Sequence, residues 1–500
     1  MKKICFSCCI LLLTSCDKVS KFLTPQSPYE NFYDQNLMFD LDHETQQVSC
    51  KIQGNIPDWL SGTLLRNGPA KFSVDGKRVN WFDGLAMLHA FDFSSSQVLY
   101  TNRFIRSEQY YIMMDEKSLN FAGFAQDPCS KLFKNHSSRF IPNEMKGVPN
   151  ADVTIQQFAD KMVALTEVPL PVIFDSKTLE TLGLFHYQDQ LPQGQWVSAH
   201  SLRDPISGET VNYCVQFGEK SSYIVWKMKE GESSRKIITE IPVDLPAYMH
   251  SFALTENYVI LVEFPFVVNP VDLVLKKKPF IFNYKWVPEK GTHFFVINRH
   301  TGEVKTIKGD PFFAFHHVNA FDKEGKIFID IVTHPNADII EVITDRLSDK
   351  KKIAESQKTT FERFVITLSN QNLVREILYN QTTEMPRVPE ARVARQYRYA
   401  YLIEANFPTA FTDAPCLYKV DTISKSAMRW SQPGCYPGEP VFVPKPNSQE
   451  EDEGVILSLV LDFANHRSFL LILDAKDFHE LARAETPYAI PIGLHGWWKS

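Results

Sequence analysis

Four turn signals of one design punctuate the chain and constrain its fold more than any other feature. They are Asp175-Ser176-Lys177-Thr178, Asp204-Pro205-Ile206-Ser207-Gly208-Glu209, Asn298-Arg299-His300-Thr301-Gly302-Glu303 and Asp322-Lys323-Glu324-Gly325. Each begins with a side chain that hydrogen-bonds backbone two residues on, and each lies between short β-rich runs. Short β-rich runs joined in this way predict hairpins, and hairpins along most of the chain predict an all-β fold. Helical periodicity is scarce. The best candidate helix spans 337–351, where Ile340, Ile343 and Leu347 recur at helical spacing, and it is expected to cap one face. No strict repeat is visible, but several hundred residues of hairpins close best as radial blades, which favours a β-propeller over a sandwich.

A hydrophobic share of 44% with 22% charged residues describes a folded protein, and a net charge of -6 offers nothing to a nucleic acid. At the amino terminus, Lys2-Lys3 precedes the apolar run from Ile4 to Leu13, then Leu13-Thr14-Ser15-Cys16. This resembles a bacterial lipoprotein signal: residues 1–15 are expected to be removed and Cys16 lipidated, anchoring the chain in the cell envelope at the periplasmic face or the outer membrane. Residues 16–49 then read as a tether, and 50–500 as a single domain. Cys50, Cys129, Cys214, Cys416 and Cys435 remain, an odd and scattered set without metal-knuckle spacing, expected mainly as small core residues.

Two stretches have the composition of a bilayer interface. Phe121-Ala122-Gly123-Phe124-Ala125 leads into Asp127-Pro128-Cys129 and Leu132-Phe133. A second runs from Val267 through Leu273 and Leu275 and the basic Lys276-Lys277-Lys278 to Phe282. A buried loop and a solvated lysine cluster account for the same composition.

The hairpin expected over 315–330 carries His316 and His317 at its mouth. Neighbouring strand residues face opposite ways, so only one of the pair can serve a given site. Three further histidines share this setting: His200, His250 and His495, at successive separations from His200 of 50, 66 and 179 residues when His316 is included. Such separations converge only where strands radiate around one axis, as propeller blades do. Four imidazoles without thiolate suit a first-row transition metal, with iron, copper, nickel and zinc all open on ligand type. Metal-bound imidazoles need acceptors for their other ring N–H; Glu167 and Glu439, flanked by apolar β residues, are the candidate carboxylates.

The chain resembles the carotenoid cleavage oxygenase family from Gln53 to Lys499, and its animal branch most. The resemblance rests on the order of several segments: Gly62-Thr63-Leu64-Leu65-Arg66-Asn67-Gly68-Pro69, Trp81-Phe82-Asp83-Gly84, Ala199-His200, His250-Ser251-Phe252-Ala253-Leu254, Phe315-His316-His317-Val318-Asn319-Ala320, Glu439-Pro440-Val441-Phe442-Val443-Pro444 and Gly493-Leu494-His495-Gly496. It implies a seven-bladed propeller with a dome of loops and helices over one non-haem Fe(II) per chain, held by His200, His250, His316 and His495. Thr166 matches a position that crowds a vacant iron site, and Glu167 and Glu439 match glutamates that hold the histidines. A third glutamate is expected before Phe407-Pro408, where this chain has Asn406; Glu404 shares its strand face. The same resemblance places a membrane-entry segment at Asp127-Pro128-Cys129 with Phe133, with Gln126 in place of its first proline, and a second patch over 267–282; with composition this puts the expected membrane contacts on Phe121, Phe124, Cys129, Phe133, Leu273 and Leu275. The implied activity is O2-dependent cleavage of one C=C bond of a carotenoid or apocarotenoid; Tyr248, two residues from His250 and so on the same strand face, is the candidate contact to the polyene. Retinyl-ester isomerohydrolysis and a catalytically silent envelope lipoprotein that binds lipid or protein are the alternatives.

Overall fold

The computed structural model describes residues 38–94, 96–125, 142, 145–275, 278–344, 346, 349–404, 415–463 and 465–500. Seven antiparallel sheets of four to six strands are arranged as the blades of a propeller. The turn signals fall between paired strands; the leading Asp175, Asp204 and Asn298 side chains bond backbone two residues on, whereas Asp322 accepts from Asn257 N and Nδ2 instead. Asp175 Oδ1 accepts from the N–H groups of Lys177 (2.9 Å) and Thr178 (2.7 Å), and Asn298 Oδ1 accepts from His300 and Thr301 (2.9 and 3.0 Å). In the hairpin of His317–Lys323 with Lys326–Thr333, Glu324 and Gly325 both adopt positive φ (52° and 73°), the tight turn whose twist matches paired strands.

Blade one holds Thr45–Ser49, Gln97–Phe104, Leu85–Ser94 and Gly62–Lys71, with the carboxy-terminal strand Gly496–Lys499 as its edge. Blade two runs from Thr154–Phe158 to Thr181–Leu184, blade three from Trp196–Val197 and Leu202–Arg203 to Arg235–Val243, and blade four from Ala253–Leu254 to Val304–Gly309. Blade five runs from His317–Lys323 to Asn372–Tyr379, and blade six from Thr383–Arg387 to Ser426–Ser431. Blade seven begins with Cys435–Pro437 and Val441–Pro444, and is completed by the amino-terminal strand Lys51–Gly54 paired to Glu480–Glu485. The two chain ends thus reach into blades built mainly by the other end and close the ring, leaving as edges only the outermost strand of each blade.

Three expectations change. The fold begins before residue 50: Thr45–Ser49 is already a blade strand, and Asp40 accepts from the Phe72 N–H at 2.7 Å while pairing with Lys71. The helix expected over 337–351 is two helices, Asp338–Ile343 and Lys350–Ser356. Thr344 Oγ1 bonds back to Ile340 O at 2.6 Å, and Asp349 caps the second helix by accepting from Lys351 N, so local polar bonds override the apolar spacing. Phe121 and Leu273, expected at a membrane, are buried at 2% and 1% exposure. Their apolar side chains serve the core, whereas Val274 (68%) and Leu275 (73%) on the short helix Pro270–Leu275 are exposed. Cys16, Cys129, Phe133 and Asn406 lie outside the described residues. Cys50, Cys214, Cys416 and Cys435 are buried and take part in no disulfide among the described residues, in keeping with small core residues.

Candidate metal centre

Each of the four histidines stands at the entry to an innermost strand. His250 lies before Ala253–Leu254, His316 immediately before His317–Lys323, His495 immediately before Gly496–Lys499, and His200 between the two short strands that open blade three. Blades one, three, four and five therefore aim one imidazole each at the central axis. The four bring one ligand atom apiece to within 4.8 Å of one another. Nε2 of His200 lies 2.9 Å from Nε2 of His250, and Nε2 of His316 lies 3.3 Å from that of His495.

The other three blades supply carboxylates. Glu167, after the second strand of blade two, accepts from His250 Nδ1 at 2.7 Å. Glu384, in the innermost strand of blade six, accepts from His316 Nδ1 at 2.6 Å. Glu439, at the inner edge of blade seven, accepts from His495 Nδ1 at 2.7 Å. His200 has no such carboxylate among the described residues; its backbone N–H donates to Ser198 Oγ at 3.1 Å. With their Nδ1 protons given to carboxylates, three imidazoles turn Nε2 lone pairs toward one point. Lone pairs at this separation repel unless a cation lies among them, so the donor set fits a metal ion. Burial, followed by the neighbouring histidines, holds His200 well below the usual imidazole range. Burial brings His495 down to about 4 despite Glu439. Burial thus favours the neutral, ligating form of His200 and His495.

Glu384 corrects the reading centred on Asn406. The carboxylate behind His316 comes from Glu384-Met385-Pro386, where Met385 stands in place of the Phe that the sequence pattern sought before proline. Glu404 serves elsewhere, accepting from Cys416 N at 3.2 Å. Burial raises the Glu384 carboxyl, but His316 and His334 outweigh it and hold the group well below the usual carboxylate range. His334, also missed from sequence, donates Nδ1–H toward Ser356 O at 3.2 Å and sets Nε2 3.8 Å from Glu384 Oε1.

The paired histidines separate as expected. His317 turns away from the cluster and shares Ser251 Oγ at 2.9 Å, while that hydroxyl donates to Phe315 O at 2.6 Å. Tyr248 donates its hydroxyl to Glu167 Oε1 at 2.7 Å, and Trp196 Nε1 donates to Oε2 at 3.3 Å, fixing this carboxylate from two sides. Thr166 faces the Asp152 carboxyl. Glu439 is held most tightly: Oε2 accepts from Arg66 Nη1 at 3.0 Å and from Gly496 N at 2.7 Å. Burial pushes its carboxyl up, yet Arg387, His495 and Arg66 bring it down to about 2.

A cavity of about 800 Å³ opens over the histidines and is lined by Phe82, Phe124, Trp196, Tyr248, Phe280 and Phe315 among others. Asp83 fixes part of its wall by accepting from Phe124 N (2.6 Å) and Ala125 N (3.0 Å). Burial pushes the Asp83 carboxyl up to about 6, against these bonds and that from Asn80. Unfolded, it titrates near ~3.9. The folded chain therefore binds the extra proton between these values, and the stability this group contributes is full below pH ~4 and lost as pH rises through about 6. Asp83→Asn should flatten this dependence, lowering the wild-type difference between pH 4 and pH 7 by up to about 3 kcal/mol in chemical denaturation. An unchanged difference contradicts the assignment.

The family model described as retinal pigment epithelial membrane protein matches residues 38–500. The chain belongs to this carotenoid oxygenase family. Among family relatives, the mitochondrial carotenoid-cleaving dioxygenase of Macaca fascicularis is 31% identical, across 92% of this chain and 93% of that protein. The chloroplastic carotenoid cleavage dioxygenase 8 of Arabidopsis thaliana is 30% identical, across 92% and 84%. The cobalt-substituted apocarotenoid oxygenase of Synechocystis superposes with a TM-score of 0.79 at 26% identity, covering 94% of this chain and 99% of that one.

Proposed function

We propose that the protein cleaves one conjugated C=C bond of a carotenoid or apocarotenoid to two carbonyl products, using one Fe(II) per chain and O2. The observation that carries this reading is the convergence of His200, His250, His316 and His495 beneath an aromatic-walled cavity of about 800 Å³. Bound by these four imidazoles, Fe(II) would supply the activation of O2 that an unassisted polyene lacks. Glu167, Glu384 and Glu439 hold the Nδ1 protons of three ligands, fixing tautomer and ring orientation. Phe82, Phe124 and Phe315 offer ring faces to a flat polyene and exclude water. Tyr248 lines the same cavity while committing its hydroxyl to Glu167, so its ring, not its oxygen, meets substrate. Relatives that are dioxygenases favour cleavage over ester isomerohydrolysis. Incubating iron-loaded protein in air with carotenoids, apocarotenoids and stilbenes should yield aldehydes by mass. Absence of aldehyde from all of them overturns the reading.

An apolar polyene substrate arrives from a lipid phase. No helix among the described residues is long and apolar enough to cross a membrane. Exposed Val271, Val274 and Leu275 on one short helix support a surface contact, in keeping with a lipid-anchored envelope location through Cys16. Val274→Asp with Leu275→Asp should weaken co-sedimentation with phospholipid vesicles by at least about tenfold. Unchanged binding removes this helix from the contact.

A further inference from the structure

The cavity wall carries a carboxyl that the metal centre does not use. Asp152 precedes the innermost strand of blade two, Thr154–Phe158. Thr154 pairs with Leu165, and the Val153 N–H donates to Leu165 O at 3.0 Å, so continuing the register sets Asp152 opposite Glu167. Asp152 is 3% exposed and lines the cavity shared by Glu167, His250 and His495. Its own backbone N–H and the Thr166 side chain lie beside the carboxyl, yet Oδ2 has no hydrogen-bond partner among the described residues. Burial, with Asp83 and Glu167 nearby, pushes it well above the usual carboxylate range. In its neutral form such a group is both donor and acceptor, and leaving either role unmet in a buried wall is costly. A pure hydrocarbon meets neither role. An alcohol or carbonyl oxygen meets one or both.

We propose that Asp152 is a specificity-determining residue that hydrogen-bonds an oxygen function carried by the polyene substrate close to its reacting region. This rests on the reading of the cavity as a polyene site and narrows it to oxygenated polyenes, since a site built for a hydrogen bond discriminates against the analogue lacking it. The placement opposite Glu167, which holds His250, puts the recognised oxygen near the metal end of the cavity.

The test is equilibrium binding of a polyene alcohol and its deoxy hydrocarbon of equal length, followed by polyene absorbance without O2. It uses the iron-loaded wild type, Asp152→Leu and Asp152→Asn, with thermal melts as the folding control. The wild type should bind the alcohol roughly tenfold or more tighter than the hydrocarbon. Asp152→Leu should bring that ratio to about one, and Asp152→Asn, which keeps a donor and an acceptor, should retain part of it. The same order should appear in kcat/KM of iron-loaded protein. Equal Kd values in the wild type overturn the proposal without any variant, as does an undiminished preference in folded Asp152→Leu. Binding requires no turnover, so failure to cleave polyenes and failure of Asp152 recognition are read separately.

Discussion

His316→Ala yields a folded protein that binds less than stoichiometric iron and has lost essentially all oxygenase activity. His316 presents Nε2 to the cluster from the entry of blade five, and no other described side chain replaces it, because His317 is turned to Ser251. The loss should exceed the roughly 10–100-fold typical of removing an outer partner of a ligand. Glu384→Gln should show that smaller effect, lowering iron affinity by about 10–100-fold while the cluster survives. Asn406→Ala should leave affinity at the wild-type value, because the carboxylate bonded to His316 is Glu384. Metal titration followed by spectroscopy of the bound ion reads all three. Wild-type iron content in His316→Ala contradicts the ligand set, and a wild-type affinity in Glu384→Gln contradicts the carboxylate's role.

Glu439→Ala has the larger effect on stability. Its side chain is fully buried and joins Arg66, His495 and the Gly496 N–H, so that blades one and seven meet across it. Arg66 is itself buried, donates to Leu494 O at 2.8 Å and cannot shed its charge. Removing the carboxylate strands that guanidinium, at an expected cost of about 3–5 kcal/mol. Chemical denaturation should show this loss, and iron affinity should fall with it because the His495 ring is no longer oriented. Arg66→Met combined with Glu439→Leu should recover much of the stability without recovering the metal, since a well-packed apolar pair replaces a buried ion pair at little net cost. Equal stability of Glu439→Ala and wild type contradicts a structural role for the pair.

The histidine ligands were legible because each sits at a strand entry in a motif that survives without knowledge of pairing. His317 was separable from His316 because strand geometry forbids both from facing one site. Glu384 was not legible in this way. A search for glutamate before Phe-Pro leads to Asn406-Phe407-Pro408, whereas the bond to His316 is made from Glu384-Met385-Pro386, 68 residues from its partner. Local sequence carries no mark of such a contact. Phe121 and Leu273 show a different limit: apolar composition is the same for a side chain facing the core and one facing a bilayer, and only packing distinguishes buried Leu273 from exposed Val274 beside it. Asp152 and His334 belong to no motif, and their place on the cavity wall follows from the closure of the blades.

The central claim is oxidative cleavage, and isotope labelling tests it most directly. Iron-loaded protein is given an oxygenated polyene under 18O2 in unlabelled water, and products are reduced at once to alcohols to prevent carbonyl exchange before mass analysis. The account predicts consumption of O2 and one 18O atom in each of the two fragments. Unlabelled alcohol of undiminished chain length, released without O2 consumption, would contradict it.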